Sequence, residues 1–104
     1  MNIDAISKEK IDEWFTQWTM LEAQIHVAHA ARNGEAKGLM EQAIKLFERL
    51  VSEAGEEVMP LNGIERIAFI KTKPGQYACY RQLDELFKET KKRTARLRLQ
   101  AAKG

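Results

Sequence analysis

Ile11, Trp14, Trp18, Leu21, Ile25 and Ala28 follow one another at alternating spacings of three and four, and Phe15 and Ala31 widen the stripe. That period lines apolar side chains along one face of an α-helix. Asp12, Glu13, Gln17 and Gln24 fall on the opposite face. Ser7 stands where an N-cap is needed, Glu9 complements the first-turn amides, and Arg32-Asn33-Gly34 supplies residues that accept a left-handed stop. The pattern predicts a first helix over residues 8–32.

Met40, Ala43, Phe47, Leu50 and Ala54 repeat the spacing, broadened by Leu39, Ile44, Leu46 and Val51. They predict a second helix over residues 35–54. Gly38 weakens its first turn by about 1 kcal/mol relative to alanine, and Gly55 is the natural stop. The short Asn33-Gly34 link makes the two helices an antiparallel hairpin. An apolar arc this wide belongs either in the middle of its own bundle or against a second chain. On the second alternative, Met40, Ile44, Phe47 and Val51 form a candidate protein interface, including one for self-association as a homodimer.

Glu56 to Leu61 reads as a connector. Asn62 and Glu65 stand three apart, as in a capping box with Asn in place of Ser or Thr. Ile64, Ile67, Ala68 and Ile70 then suit a two-turn helix over residues 63–71. The rival is a strand from Ile64 to Thr72 closed by a turn at Pro74-Gly75; the capping box favours helix. Residues 76–101 contain neither Gly nor Pro, and Tyr80, Leu83, Phe87, Thr90, Thr94, Leu97 and Ala101 keep the three/four spacing. Apolar content fades after Phe87, so Tyr77 to Phe87 should pack while Lys88 onward is held by a thinner stripe.

The fold class expected is therefore all-α: a small helical bundle of three long helices and one short helix, the third element possibly a strand. With 104 residues, 44% hydrophobic and 31% charged, the chain suits a single helical domain over 1–104 with residues 88–104 as a basic C-terminal helical extension. Met1 to Ile6 lacks the basic and apolar regions of a signal peptide, Ala102-Lys103-Gly104 carries no lipidation signal, and no apolar run approaches the roughly 20 residues that span a bilayer. Cys79 is the lone cysteine, so no disulfide can form within the chain. The expectation is a cytoplasmic protein without membrane contact.

Charge changes the picture. The formal net charge is +2, but residues 1–87 carry −4 and residues 88–104 carry +6. Lys88, Lys91, Lys92, Arg93, Arg96 and Arg98 are the candidate contacts for nucleic acid or an acidic partner. Clustered cations gather phosphates by releasing counterions, with an affinity that falls as salt rises. The same residues near a helix C-terminus also complement the helix dipole and keep a small protein soluble. No helix-turn-helix or zinc-finger pattern accompanies them.

Other candidates have plainer explanations. Glu22, His26 and His29 share one side of the first helix and include types that hold zinc or iron. Bundle metal sites draw ligands from several helices, however, and there is no second histidine-bearing helix. Cys79 lies near Arg81, but an activated thiolate needs a base held against it. Trp14 and Trp18 offer a stacking platform for bases or an anchor for a partner, yet they sit inside the core stripe. Gly34, Lys37 and Gly38 lack the glycine-rich run of a phosphate loop. No cofactor, metal or catalytic constellation is expected.

The sequence is read as a non-catalytic helical interaction, adaptor or regulatory protein acting within a complex. Direct DNA or RNA binding through the basic C-terminal helix is the alternative, and a small metal- or thiol-dependent enzyme is a distant third.

Overall fold

The computed structural model describes residues 6–103. Residues 1–5 and 104, and with them part of the reading of the two chain ends, lie outside the described residues. Four α-helices follow in order: α1 (Lys8–Ala31), α2 (Ala36–Ala54), α3 (Gly63–Thr72) and α4 (Tyr77–Lys103), with a 3-10 turn at Glu56–Val58 between α2 and α3. The fold is all-α, and there is no strand among the described residues. The third element is the helix that its sequence favoured.

The helix ends confirm some local chemistry and correct the rest. Ser7 caps α1, its Oγ accepting a hydrogen bond from the Lys10 amide at 3.1 Å. At the other end Arg32, rather than Asn33, adopts the left-handed conformation, at φ 52° and ψ 41°. Gly34 follows at φ 79°, and Asn33 Oδ1 accepts from the Glu35 amide at 3.0 Å. Asn33 thus starts the next turn as an acceptor.

The capping box predicted at Asn62 does not form. Asn62 is itself left-handed, at φ 56°, and its side chain caps nothing. The Gly63 amide donates to the Pro60 carbonyl at 2.9 Å, which turns the chain into α3. A Cβ on Gly63 would run into the Met59 thioether, so glycine lets the turn close against that side chain. α3 is held by burial of Ile67 and Ile70.

α1 and α2 pack as the expected antiparallel hairpin. α4 returns antiparallel to α1: Tyr77 in its first turn meets His29 near the end of α1, and Arg98 reaches back to the Ile6 carbonyl. α3 lies across the other side. Lys71 pairs with Glu48 of α2 at 2.6 Å, and Arg66 pairs with Glu89 of α4 at 2.7 Å.

The core runs through all four helices. Trp14, Trp18 and Ile25 enter from α1; Met40, Phe47 and Leu50 from α2; Ile70 from α3; and Leu83, Leu86 and Phe87 from α4. Trp18 stacks on Phe87 at 4.3 Å between centroids, and Phe47 meets Phe87 edge-on at 5.2 Å. Burial of each large apolar side chain contributes roughly 1.5–3 kcal/mol. Both tryptophans are therefore core residues, not a base-stacking platform.

α2 packs against α1, α3 and α4, which decides its wide apolar arc. Met40 and Phe47 are 0% exposed and Ile44 is 5% exposed. The proposed interface of Met40, Ile44, Phe47 and Val51 is corrected accordingly: three of its four members face this chain's own interior. Only Val51 reaches the surface, at the edge of the α2–α3 groove. In α4 the packing also continues further than the fading hydrophobicity implied. Thr90 and Thr94 are buried, and Thr94 Oγ1 donates to the Thr90 carbonyl at 2.7 Å. The basic stretch from Lys88 is thus packed helix as far as the partly buried Leu97.

Candidate functional site

The six basic side chains picked from the sequence do not form one surface. They divide by helical position into three groups. Arg93 turns toward the 3-10 turn, where its Nε and Nη2 donate to the Glu57 carbonyl at 3.1 and 2.9 Å. Arg98 turns toward α1 and donates to the Ile6 carbonyl at 2.7 Å. Both tie α4 to backbone carbonyls of neighbouring segments, which gives them a structural role.

Lys88 is an intermediate case. Its Nζ lies 3.0 Å from Asp84 Oδ2, and Arg81 approaches the same oxygen at 3.9 Å. The Asp84 side chain is only 9% exposed, and its hydrogen bond and charge raise the pKa of Lys88. Lys88 therefore neutralises a buried carboxylate as well as facing solvent.

Lys91, Lys92 and Arg96 remain. All three are exposed, and among the described residues none has an ion pair or a side-chain hydrogen bond. The one acidic residue of the basic stretch makes its ion pair elsewhere. Glu89 is gripped by Arg66 through two bonds, Nη1 to Oε1 at 3.0 Å and Nη2 to Oε2 at 2.7 Å. This bidentate bond, opposed by burial and aided by the charges of Arg66 and Lys92, holds the Glu89 carboxyl below its ordinary range. The exposed face of α4 thus carries, within six residues, three cations that make no ion pair among the described residues.

Beside that face lies a groove between the start of α1 and the end of α4, about 390 Å³ in volume. Ile11 and Phe15 from α1 and Thr94 from α4 are its buried lining, and Ala95 and Leu99 from α4 extend the apolar wall outward. Lys8 and Asp12 form one rim, ion-paired at 3.0 Å, and Lys91 and Arg98 form the other. Leu99 is 61% exposed despite its size. Sequence reasoning missed this groove because its two halves lie eighty residues apart. The signal available was the pair of leucines, Leu97 and Leu99, set among arginines.

The remaining candidates occupy the opposite end of the bundle. Tyr80 Oη donates to Glu22 Oε2 at 2.6 Å, while His29 stacks on Tyr80 and meets Tyr77 edge-on. Burial first, then the bond to Glu22, pushes the Tyr80 phenol well above its ordinary pKa, so it keeps its proton. His26 points to solvent. Among the described residues no three His, Cys, Asp or Glu side chains form a group able to hold a metal ion. Cys79 is fully buried, and burial pushes its thiol pKa up, away from the thiolate that nucleophilic chemistry requires.

A second apolar exposure was also missed. Leu61, Ile64 and Phe69 are solvent-exposed on and before α3. A ten-residue helix lying across its neighbours buries one face, and the run from Ile64 to Ile70 has more large apolar residues than that face accepts. Among the described residues no helix is long and apolar enough to cross a membrane.

The sequence model of a family described as "YpoC-like protein" matches residues 8–102. Over 33 residues, 32% of this chain, the sequence is 58% identical to the protein of Bacillus subtilis (strain 168) described as "Uncharacterized protein YpoC", and the aligned stretch spans only 20% of that relative's length. No solved structure matches the chain. The family match begins at the first residue of α1 and runs to the last turn of α4, taking in every helix and the whole basic face: the chain belongs to the YpoC-like family.

Proposed function

We propose that this protein is a non-catalytic helical interaction module, an adaptor or regulatory component of a complex, that docks an anionic partner protein on the exposed face of α4. The observation that carries this reading is the set Lys91, Lys92 and Arg96, exposed on one helix while the neighbouring carboxylates Glu89 and Asp84 are already engaged by Arg66, Lys88 and Arg81. Unpaired cations held on a rigid helix raise the rate of encounter with an acidic surface and fix its register. Self-association through Met40, Ile44 and Phe47 is not part of this reading, because those side chains are internal.

A second reading is direct DNA or RNA binding. It is favoured by the order Lys88, Lys92, Arg96 at successive i,i+4 positions, which sets cations about 6 Å apart along one line. Such a line suits a phosphate backbone without reading bases.

One set of variants tests both. The Lys91→Gln/Lys92→Gln/Arg96→Gln protein is compared with the parent for retention of partners from an extract of the source cells. It is also compared for binding to fluorescent DNA and RNA, single- and double-stranded, at low and moderate salt. A protein partner lost with the three cations, with nucleic acid unbound in every lane, supports the first reading. Salt-steep nucleic-acid binding lost with the same cations supports the second. Identical behaviour of parent and variant in all assays removes the basic face from both.

A further inference from the structure

We infer that the groove between α1 and α4 is a docking site for an acidic amphipathic helix of a partner protein. This deepens the interaction-module reading and rests on it. The groove is lined by Lys8, Ile11, Asp12 and Phe15 on one side and, on the other, by Lys91, Thr94, Ala95 and Arg98 with Leu99 beyond them; the first four of each side form the ridge. Each set has the spacing i, i+3, i+4, i+7, so each is a complete two-turn helical ridge about 10 Å long. Two antiparallel ridges with a trough between them are what a third helix packs into.

The chemistry of the trough names its occupant. Ile11 and Phe15 are buried at its base beside Thr94, and Ala95 and Leu99 add apolar surface nearer the mouth; a mainly apolar lining gives little to a phosphate backbone, so the partner must bring apolar side chains. On the rim, Asp12 is neutralised by Lys8, while Lys91 and Arg98 carry net positive charge beside Lys92. A second copy docked symmetrically, groove to groove, would set Lys91 and Arg98 against their own counterparts, which opposes that form of self-docking. A helix with leucine-like residues on one face and glutamates along its edges satisfies floor and rim together, the helix-in-groove mode of recognition. Leu99, large and mostly exposed at the mouth, is the side chain such a helix would cover, and Lys91 is the rim cation left without an acidic partner among the described residues.

The test titrates the full chain, labelled with nitrogen-15, with a synthetic helical peptide of about 15 residues. The peptide has Leu at i, i+3, i+4 and i+7 and Glu flanking them; in one control Lys replaces every Glu, and in another Ser replaces every Leu. Leu99→Asp and Lys91→Glu are made at exposed positions, with circular dichroism to confirm that the helices persist. Saturable amide shifts centred on Ile11, Phe15, Lys91 and Leu99 are expected, absent with both control peptides. Affinity should fall about tenfold or more in each variant. Absence of saturable shifts, or shifts unaffected by Leu99→Asp and Lys91→Glu, would overturn the groove. Peptide binding that is lost in Lys92→Gln/Arg96→Gln but indifferent to Leu99→Asp overturns the groove while leaving the basic-face reading standing. Loss of binding in neither set overturns both.

Discussion

Arg66 and Glu89 face each other across α3 and α4 through two parallel hydrogen bonds of 3.0 and 2.7 Å. The same guanidinium donates to the Leu61 carbonyl at 3.2 Å. One side chain therefore ties the start of α3 to α4, and also takes the only carboxylate of the basic stretch away from its lysines. Structure and surface charge are coupled at this point: the pairing that holds α3 in place is the one that leaves the α4 face positive.

Replacing Glu89 with Gln should lower stability by about 0.5–1 kcal/mol at neutral pH, a value kept small because both side chains are partly open to water. The Glu89 pKa is depressed in the fold, so the stabilisation is present at neutral pH, above the carboxylate's unfolded value. It is lost as pH falls through the folded value. Urea denaturation of parent and variant should therefore differ at pH 7 and converge under strongly acidic conditions. A constant difference across that range would show that the ion pair is not its source.

The cations of α4 should separate into two classes on substitution. Arg93→Gln removes two bonds to the Glu57 carbonyl and is expected to cost about 1 kcal/mol. The combined Lys91→Gln, Lys92→Gln and Arg96→Gln changes break no ion pair or side-chain hydrogen bond among the described residues and should stay within about 0.5 kcal/mol of the parent, with reduced like-charge repulsion acting in their favour. Denaturation midpoints of the two proteins check this. Equal destabilisation would mean that the exposed trio also has a structural role.

The periodicity of apolar residues made the helices legible because the three/four stripe is a local pattern, written along each segment. What it left open required neighbours. The wide arc of α2 resolves inward only once α1, α3 and α4 surround Met40 and Phe47. Glu89, Arg66 and Glu57 take their roles from contacts 23 to 36 residues away, and no spacing within α4 reveals that Arg93 and Arg98 bind backbone carbonyls. The Asn62/Glu65 spacing predicts the helix at α3 through a capping box that does not itself form. Asn62 is left-handed, and burial of Ile67 and Ile70 fixes the segment instead. The groove next to Lys91 was invisible for the same reason, since Ile11 and Leu99 meet only when the chain closes on itself.

Arg32 offers a change in the stabilising direction. It ends α1 at φ 52°, a conformation that costs a residue with a Cβ roughly 1 kcal/mol or more and costs glycine nothing. Glycine's greater freedom in the unfolded chain offsets part of that gain. Arg32→Gly should therefore raise stability by about 0.5 kcal/mol, read as a higher denaturation midpoint with an unchanged slope. Arg32 is exposed, so no packing loss opposes the gain. A lower midpoint would mean that the guanidinium makes a contribution beyond its backbone strain.

Tyr80 and Glu22 permit a sharper comparison, because the two partners can be removed separately. Tyr80→Phe keeps the ring that stacks on His29 but leaves the half-buried Glu22 carboxylate without its donor. It should cost about 1–1.5 kcal/mol. Glu22→Gln retains an oxygen to accept the phenol proton and should cost less. The raised Tyr80 pKa adds a pH signature. Its stabilisation is fully present below the ordinary tyrosine value of about 10. Above that value the unfolded chain releases the proton and the folded chain does not, so stability declines as pH rises toward the elevated folded value. Ultraviolet titration should then show a tyrosine that resists ionisation until the protein unfolds, and Tyr80→Phe should abolish that delayed step. If both tyrosines of the native protein ionise together near the ordinary value, the bond to Glu22 does not hold the phenol proton in solution.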